Sequence, residues 1–453
     1  MSTICAIATP LALGGISVIR ISGKDAITVG AAIFSTASGM SVEKMEANTC
    51  AYGKIISGGK EIDDGIITVF RAPKSFTGED VCEISCHGGI FVTKQVLRAA
   101  IENGAVPAQA GEFTKRAFLN GKMSLTQAEA VMDVISAQGE QSLRAAVSSH
   151  EGALFSRIKK ITDKLVSILG ELAAWVDYPE EDLPDIEFST LQNSLNENIA
   201  ELDMLLASYD SGRILRNGID TAIVGKPNVG KSTLMNLLLG YDRSIVTEIE
   251  GTTRDIVEES ARIGEIILRL SDTAGIHETD DIVEGVGVNL AKKKINEADL
   301  VLVVFDNSRK LTDEDYLLIK SLKDKHCIAI LNKTDLESKA DISVLSDYFN
   351  YVVEISAKNK DGIDVLKQKL EEIFKLNEFD ATSGIIANER QKQCVESAKR
   401  YLVSASEVLL SGETYDAVTV LIDKAAESLL ELTGEKATEA VVNDVFSRFC
   451  VGK

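Results

Sequence analysis

Residues 225–232 read GKPNVGKS, the types and spacing of a loop that holds phosphate. They fit G-x-x-x-x-G-K-[ST] and lie between the strand-like TAIV and the helix-like STLMNLLLG, the context this motif requires. Gly225 and Gly230 let backbone N–H groups converge on phosphate oxygens, and the N-terminus of the next helix adds its dipole. Lys231 has the reach for β and γ phosphates, and the Ser232 hydroxyl suits Mg2+.

NKTD at 332–335 chooses the base. Guanine presents N1–H and an exocyclic amine side by side, and the Asp335 carboxylate can accept both; adenine would leave it unsatisfied. Asn332 is expected at the other edge of the base, and SAK at 356–358 closes the set. Together the motifs specify GTP. DTAG at 272–275 follows IILRLS, with Asp272 expected to act on Mg2+ through its water shell and Gly275 to sense the γ phosphate. The next residue is Ile276, not the glutamine of Ras-type GTPases, so another group must orient the attacking water; Glu284 is the nearest suitable carboxylate.

The elements that must position these motifs run from about 217 to 378, where the β-rich runs TAIVG, IILRLSD, LVLVVFD, CIAILNK and YVVEIS alternate with helical stretches. That alternation predicts a mostly parallel sheet covered on both faces. Residues 1–121 instead mix ICAIA, ISVIRIS, DGIITVF and VCEIS with glycine turns, an α+β pattern. Between them, Leu154, Ile158, Ile161, Leu165, Ile168, Leu172 and Trp175 form one stripe of a long helix. After 385 the pattern is helical again, with Gly434 as a C-cap. The expected architecture is multidomain: α+β over 1–121, an all-α domain from 122–216 and 380–453, and an α/β P-loop domain over 217–379 inserted into it.

The 453 residues carry a formal charge of −21, with 11 Lys/Arg against 11 Asp/Glu in residues 1–121 and the excess of acid beyond. An acidic surface argues against autonomous nucleic-acid binding and hence against an assembly factor that grips ribosomal RNA. No apolar run approaches the roughly 18 residues that span a bilayer, so a cytoplasmic protein is expected. FCVGK at 449–453 fails as a prenylation box because Gly452 and Lys453 do not fit. Cys82, Cys86 and His87 form C-x3-C-H without a second ligand pair, so two buried thiols are expected there rather than a metal site.

Beyond the nucleotide motifs, SFTGEDVCEISCHGG (75–89), GEFTKRAFLNGKMSLTQAEAV (111–131), GTTRD (251–255) and the closing C-x-G-K resemble the TrmE/MnmE family, GTPases that modify the wobble uridine of certain tRNAs. The resemblance covers the whole chain. It implies nucleotide contacts at Asn228, Val229, Gly230, Lys231, Ser232 and Thr233; at Thr247, Glu248, Ile249, Glu250, Gly251, Thr252 and Thr253; at Asp272, Thr273, Ala274 and Gly275; and at Asn332, Lys333, Asp335, Ser356, Ala357 and Lys358.

It further implies a homodimer whose G domains meet across their nucleotide faces, with K+ held by Asn228, Thr247, Ile249 and Thr252 where an arginine finger would otherwise act. Mg2+ would sit on Ser232 and Thr253, and Glu284 would position water. Residues 1–121 resemble a dimer-forming folate module, with Arg20, Glu83, Lys122 and Lys453 at the positions for 5-formyl- or 5,10-methylene-tetrahydrofolate and Cys450 close enough for a part in one-carbon chemistry. The implied partner is an FAD-binding flavoprotein of the MnmG (GidA) type, in a heterotetramer that holds tRNA mainly through that partner.

Overall fold

In the computed structural model of this chain, the apolar runs of the first hundred residues pair into a mixed sheet. The structure describes residues 1–177, 188–241, 259–264, 266–272, 295–322, 325–374, 380, 382–412 and 414–453, with 175–177, 241 and 271–272 described by backbone only. The chain divides into two compact units, Met1–Ile135 with Val147–Asp203 and Gln393–Lys453, and Ser136–Ala146 with Met204–Lys392.

In the first unit, β1 (Ile4–Ile7), β2 (Ile16–Ser22), β3 (Phe34–Thr36), β4 (Thr49–Ser57), β5 (Lys60–Phe70), β6 (Val81–His87) and β7 (Val106–Pro107) lie in the order β3-β4-β5-β6-β2-β1-β7. All pairs are antiparallel except β1 with β7. Period-two alternation sends Ile19, Ile21, Ile67, Val69, Cys82 and Ile84 into the core beneath the helices Ala26–Ile33 and Ile90–Glu102, and leaves Arg20 and Glu83 on the other face as direct cross-strand partners.

The helical part of this unit follows from its stripe. Leu154, Ile158, Ile161, Leu165, Ile168 and Leu172 are all buried along the helix Ala153–Asp177, and full burial of such side chains is worth about 1.5–3 kcal/mol each. The helix Tyr415–Thr433 packs along it, burying Val418, Ile422, Ala425, Ala426, Leu429 and Leu432. That helix stops at Gly434, whose φ of 95° is left-handed and whose N–H reaches Leu430 O at 3.0 Å. A Cβ at Gly434 would lie 2.7 Å from both Leu125 Cβ and Phe118 Cε2, so the cap is also a packing requirement.

The second unit holds β8 (Ile219–Val224), β9 (Glu259–Ile263), β10 (Ile266–Asp272), β11 (Leu300–Asp306), β12 (Cys327–Asn332) and β13 (Val352–Ile355), ordered β13-β12-β11-β8-β10-β9. Five are parallel, and β9 is an antiparallel edge. β11 is buried at every position, as a strand covered on both faces must be. The carboxyl ends of β8, β12 and β13 carry GKPNVGKS, NKTD and SAK, which is where open α/β sheets present their ligand sites. Among the described residues, no helix is long and apolar enough to cross a membrane.

Candidate nucleotide and folate sites

The phosphate loop leaves β8 at Gly225 and enters the helix Lys231–Tyr241. Gly230 has φ 100°, and a Cβ there would meet Asn332 Nδ2 at 2.2 Å, so glycine is demanded both by conformation and by the approach of the base-recognition loop. Asn228 adopts φ 64°, unusual for a residue with a side chain. Lys231 Nζ donates to Gly225 O at 2.9 Å and Lys226 O at 2.8 Å, which keeps its ammonium inside the loop. Ser232 and Thr233 are exposed at the start of the helix, where a hydroxyl can meet a cation and N–H groups can meet phosphate.

Three loops interlock around this one. Asn332, expected at the other edge of the base, has a buried amide that braces the surrounding backbone, donating from Nδ2 to Val229 O at 2.9 Å and accepting at Oδ1 from Ala357 N at 3.1 Å. Lys333, also left-handed at φ 68°, donates to Asn228 O at 2.8 Å and to Asp306 Oδ2 at 2.6 Å. Ser356 Oγ donates to Asp335 Oδ1 at 2.8 Å, orienting the carboxylate assigned to guanine, while Lys358 is exposed.

Asp306 belongs to this site although it lies outside the motifs, and Lys226 occupies a variable position of the phosphate loop. Burial alone would raise the Asp306 pKa, but hydrogen bonds from Lys333 and Ser308 outweigh it and hold the carboxyl below its ordinary value. Lys226 pairs with Glu314 at 3.0 Å and Asp315 at 3.1 Å; these acceptors overcome burial and raise its pKa. Sequence offered only a faint signal for Asp306, a single acid closing the apolar run LVLVVFD.

The Asp272 backbone ends β10 beside Ile223 of β8. Thr247, Glu248, Ile249, Glu250, Gly251, Thr252, Thr253, Thr273, Ala274, Gly275, Ile276 and Glu284 lie outside the described residues. Of the residues assigned to K+, Asn228 is described; of those assigned to Mg2+, Ser232 is.

The first unit gathers the folate candidates. Arg20 Nε donates to Glu83 Oε1 at 2.7 Å, and Arg20 Nη1 donates to Gly452 O at 3.3 Å. Residues 450–453 fold onto the segment before the helix Glu112–Leu119: Gly111 N donates to Cys450 O at 3.3 Å, Val451 bridges Ala110, and Phe113 N donates to Lys453 O at 3.1 Å. Lys122 stands at the far end of the loop 73–78, donating to Pro73 O at 2.9 Å and lying along Gly78. Arg20 and Glu83 are half-buried and charged, and Phe76 is 39% exposed with its ring centroid 6.0 Å from the Arg20 guanidinium carbon. Such a mixture suits a planar heterocycle with an anionic tail.

The C-x3-C-H residues separate by strand alternation. Cys82 and Cys86 point inward, where burial lifts their thiols to about 12 and about 11, and a metal would need them as thiolates. His87 points outward and its Nδ1 lies 2.8 Å from Asp63 Oδ1.

Two family models match the chain: the N-terminus of the GTP-binding protein TrmE over residues 3–122 and the MnmE helical domain over residues 125–450. The tRNA modification GTPase MnmE of Thermoanaerobacter pseudethanolicus is 41% identical over 456 residues, covering 100% of this chain and 99% of the relative. The same-named protein of Clostridioides difficile is 41% identical over 454 residues with the same coverage. Among solved structures, a variant of Aquifex aeolicus Era bound to GDP.AlF4- is 29% identical and covers 40% of this chain and 66% of that one, at a TM-score of 0.27. With both family models and full-length identity in agreement, the chain belongs to the TrmE/MnmE family of tRNA modification GTPases.

Proposed function

We propose that this chain is a K+-stimulated GTP hydrolase that works with a flavoprotein partner to add an aminomethyl or carboxymethylaminomethyl group to C5 of the wobble uridine (U34) of certain tRNAs, using a tetrahydrofolate one-carbon unit. The observation that carries the GTPase half is the junction of Lys333 with Asn228 and Asp306, which fixes the base-recognition loop to the phosphate loop. K+ on Asn228, Thr247, Ile249 and Thr252, and Mg2+ on Ser232 and Thr253, would supply positive charge beside the phosphates as negative charge develops there.

The chain's own groups do the rest. Lys231 exchanges two neutral carbonyl acceptors for phosphate oxygens, and such charge-assisted bonds are about twice as strong. Asp335, oriented by Ser356, accepts from guanine, and Glu284 orients the attacking water in place of the glutamine that Ile276 replaces. In the folate site Arg20, Lys122 and Lys453 provide positive charge for the glutamate tail, and Glu83 accepts from ring N–H groups. Cys450 takes part in the one-carbon chemistry. The protein works in the cytoplasm as a homodimer bound to its FAD-containing partner, and tRNA is held mainly by that partner.

The test is GTP turnover in KCl against NaCl, together with Glu284→Ala. Turnover should be much faster in potassium, and the variant should bind GTP but barely hydrolyse it. Equal rates in the two salts would remove the potassium assignment. Nucleoside analysis of tRNA from a deletion strain tests the rest, since unmodified wobble uridines are expected.

A further inference from the structure

The loop 75–79 is pinned at several points by buried polar groups. Arg116, 3% exposed, donates from Nη1 to Glu79 Oε2 at 3.0 Å and to Ser2 O at 2.8 Å, and from Nη2 to Glu112 Oε1 at 2.7 Å. Ser22 Oγ donates to Glu79 Oε2 at 2.8 Å and lies 2.8 Å from Thr77 Oγ1. Asn120 Nδ2 holds Thr77 O at 2.7 Å. Ser22 and Thr77 are fully buried, so this backbone is fixed on its inner side. Phe76 sits within it, yet the residue stays 39% exposed.

The neighbours of that ring give the exposure a use. The Arg20 guanidinium lies between two aromatic rings, its carbon 6.0 Å from the Phe76 centroid and 5.7 Å from that of buried Phe113. Arg20 is tied to Glu83, and the same loop meets Lys122 at Pro73. A rigidly backed aromatic face beside a cation and a carboxylate is the wall a flat, hydrogen-bonding heterocycle would stack on. We propose that Phe76 is a ligand-contacting residue whose ring stacks on the pteridine of the bound folate, held in register by the Arg116–Glu79 pair. The inference rests on the folate reading of this site and adds the residue that selects for a planar ring.

The probe is 5-formyl-tetrahydrofolate titrated calorimetrically into the full chain. Phe76→Leu keeps apolar bulk but loses the π face, and should bind about tenfold more weakly. Phe76→Trp should stay within about threefold of wild type. In a Trp175→Phe background, the emission of its indole should quench as ligand is added. Glu79→Gln, which leaves the ring intact but loosens its support, should weaken binding by a smaller factor. If wild type binds and Phe76→Leu binds equally well, or the indole does not respond, the stacking role is overturned while the folate site stands. If wild type takes up no folate, the site reading fails and this inference falls with it.

Discussion

Lys333 Nζ lies 2.8 Å from Asn228 O and 2.6 Å from Asp306 Oδ2, so one ammonium joins two left-handed residues on different loops and anchors both to the end of β11. The side chain of Asn228 is the one described member of the proposed K+ set, and Lys333 fixes its backbone. Asp306→Ala would leave the ammonium without its carboxylate. Hydrogen bonds to charged groups contribute about 1.5–3 kcal/mol, so guanine nucleotide affinity should fall roughly 10- to 100-fold. Titration with a fluorescent GDP analogue measures this; an unchanged Kd would show that the junction is not needed for binding.

The same carboxylate sets a pH dependence. Hydrogen bonds from Lys333 and Ser308 keep its folded pKa below the ordinary 3.8 despite burial. A lowered folded pKa means a stabilisation that is present above the unfolded value and lost as pH falls through the folded one. Asp306→Asn should therefore unfold more readily than wild type at pH 7, and the difference should shrink on acidification below about pH 4. Urea unfolding at several pH values, followed by circular dichroism, checks it; a gap that widens in acid would reverse the sign argued here.

What the sequence disclosed depended on how one-sided each element's environment is. β11 and β12 are covered on both faces and show as unbroken apolar runs, LVLVVFD and CIAIL. β4, TCAYGKIIS, is hard to read from sequence because only Gly53 and Ile55 are buried in a mostly wet strand, with Gly53 opposite Gly65. β9, ESARI, is a short edge strand with one apolar face and gave little period to count. The phosphate and base motifs were legible because their chemistry is local. Asp306, Glu79, Arg116 and the exposed ring of Phe76 were not, since each acquires meaning from partners far along the chain.

Gly230→Ala tests the close packing of the two recognition loops. At φ 100° the alanine is strained by about 1–3 kcal/mol before any contact is counted, and its Cβ would displace Asn332, 2.2 Å away. The Asn332 bonds to Val229 and Ala357 would go with it. Nucleotide binding should become undetectable at micromolar concentrations. Folate binding, whose residues lie in the other unit, should persist, and parallel titrations distinguish this from general misfolding.

Leu165→Ala removes a fully buried side chain from the middle of the Ala153–Asp177 stripe. Large-to-small changes at such sites cost about 2–5 kcal/mol. Thermal unfolding should show a transition at lower temperature. Because the stripe belongs to the first unit and the nucleotide loops to the second, GDP affinity measured below that transition should be unchanged.

Asp335→Asn asks whether the base is read as argued. The wild-type carboxylate, oriented by Ser356 Oγ at 2.8 Å, accepts from two guanine donors. An amide offers one acceptor and one donor, so the guanine amine would face an N–H group and lose its partner, at a cost of about 1–3 kcal/mol or more. Xanthine carries a carbonyl where guanine carries the amine, and that oxygen can accept from the new N–H. The variant should therefore lose GTP turnover at ordinary substrate concentrations and regain it with xanthosine triphosphate, with the potassium requirement intact because Asn228 and Lys333 are untouched. Retained GTP preference in the variant would place the base somewhere other than against this carboxylate.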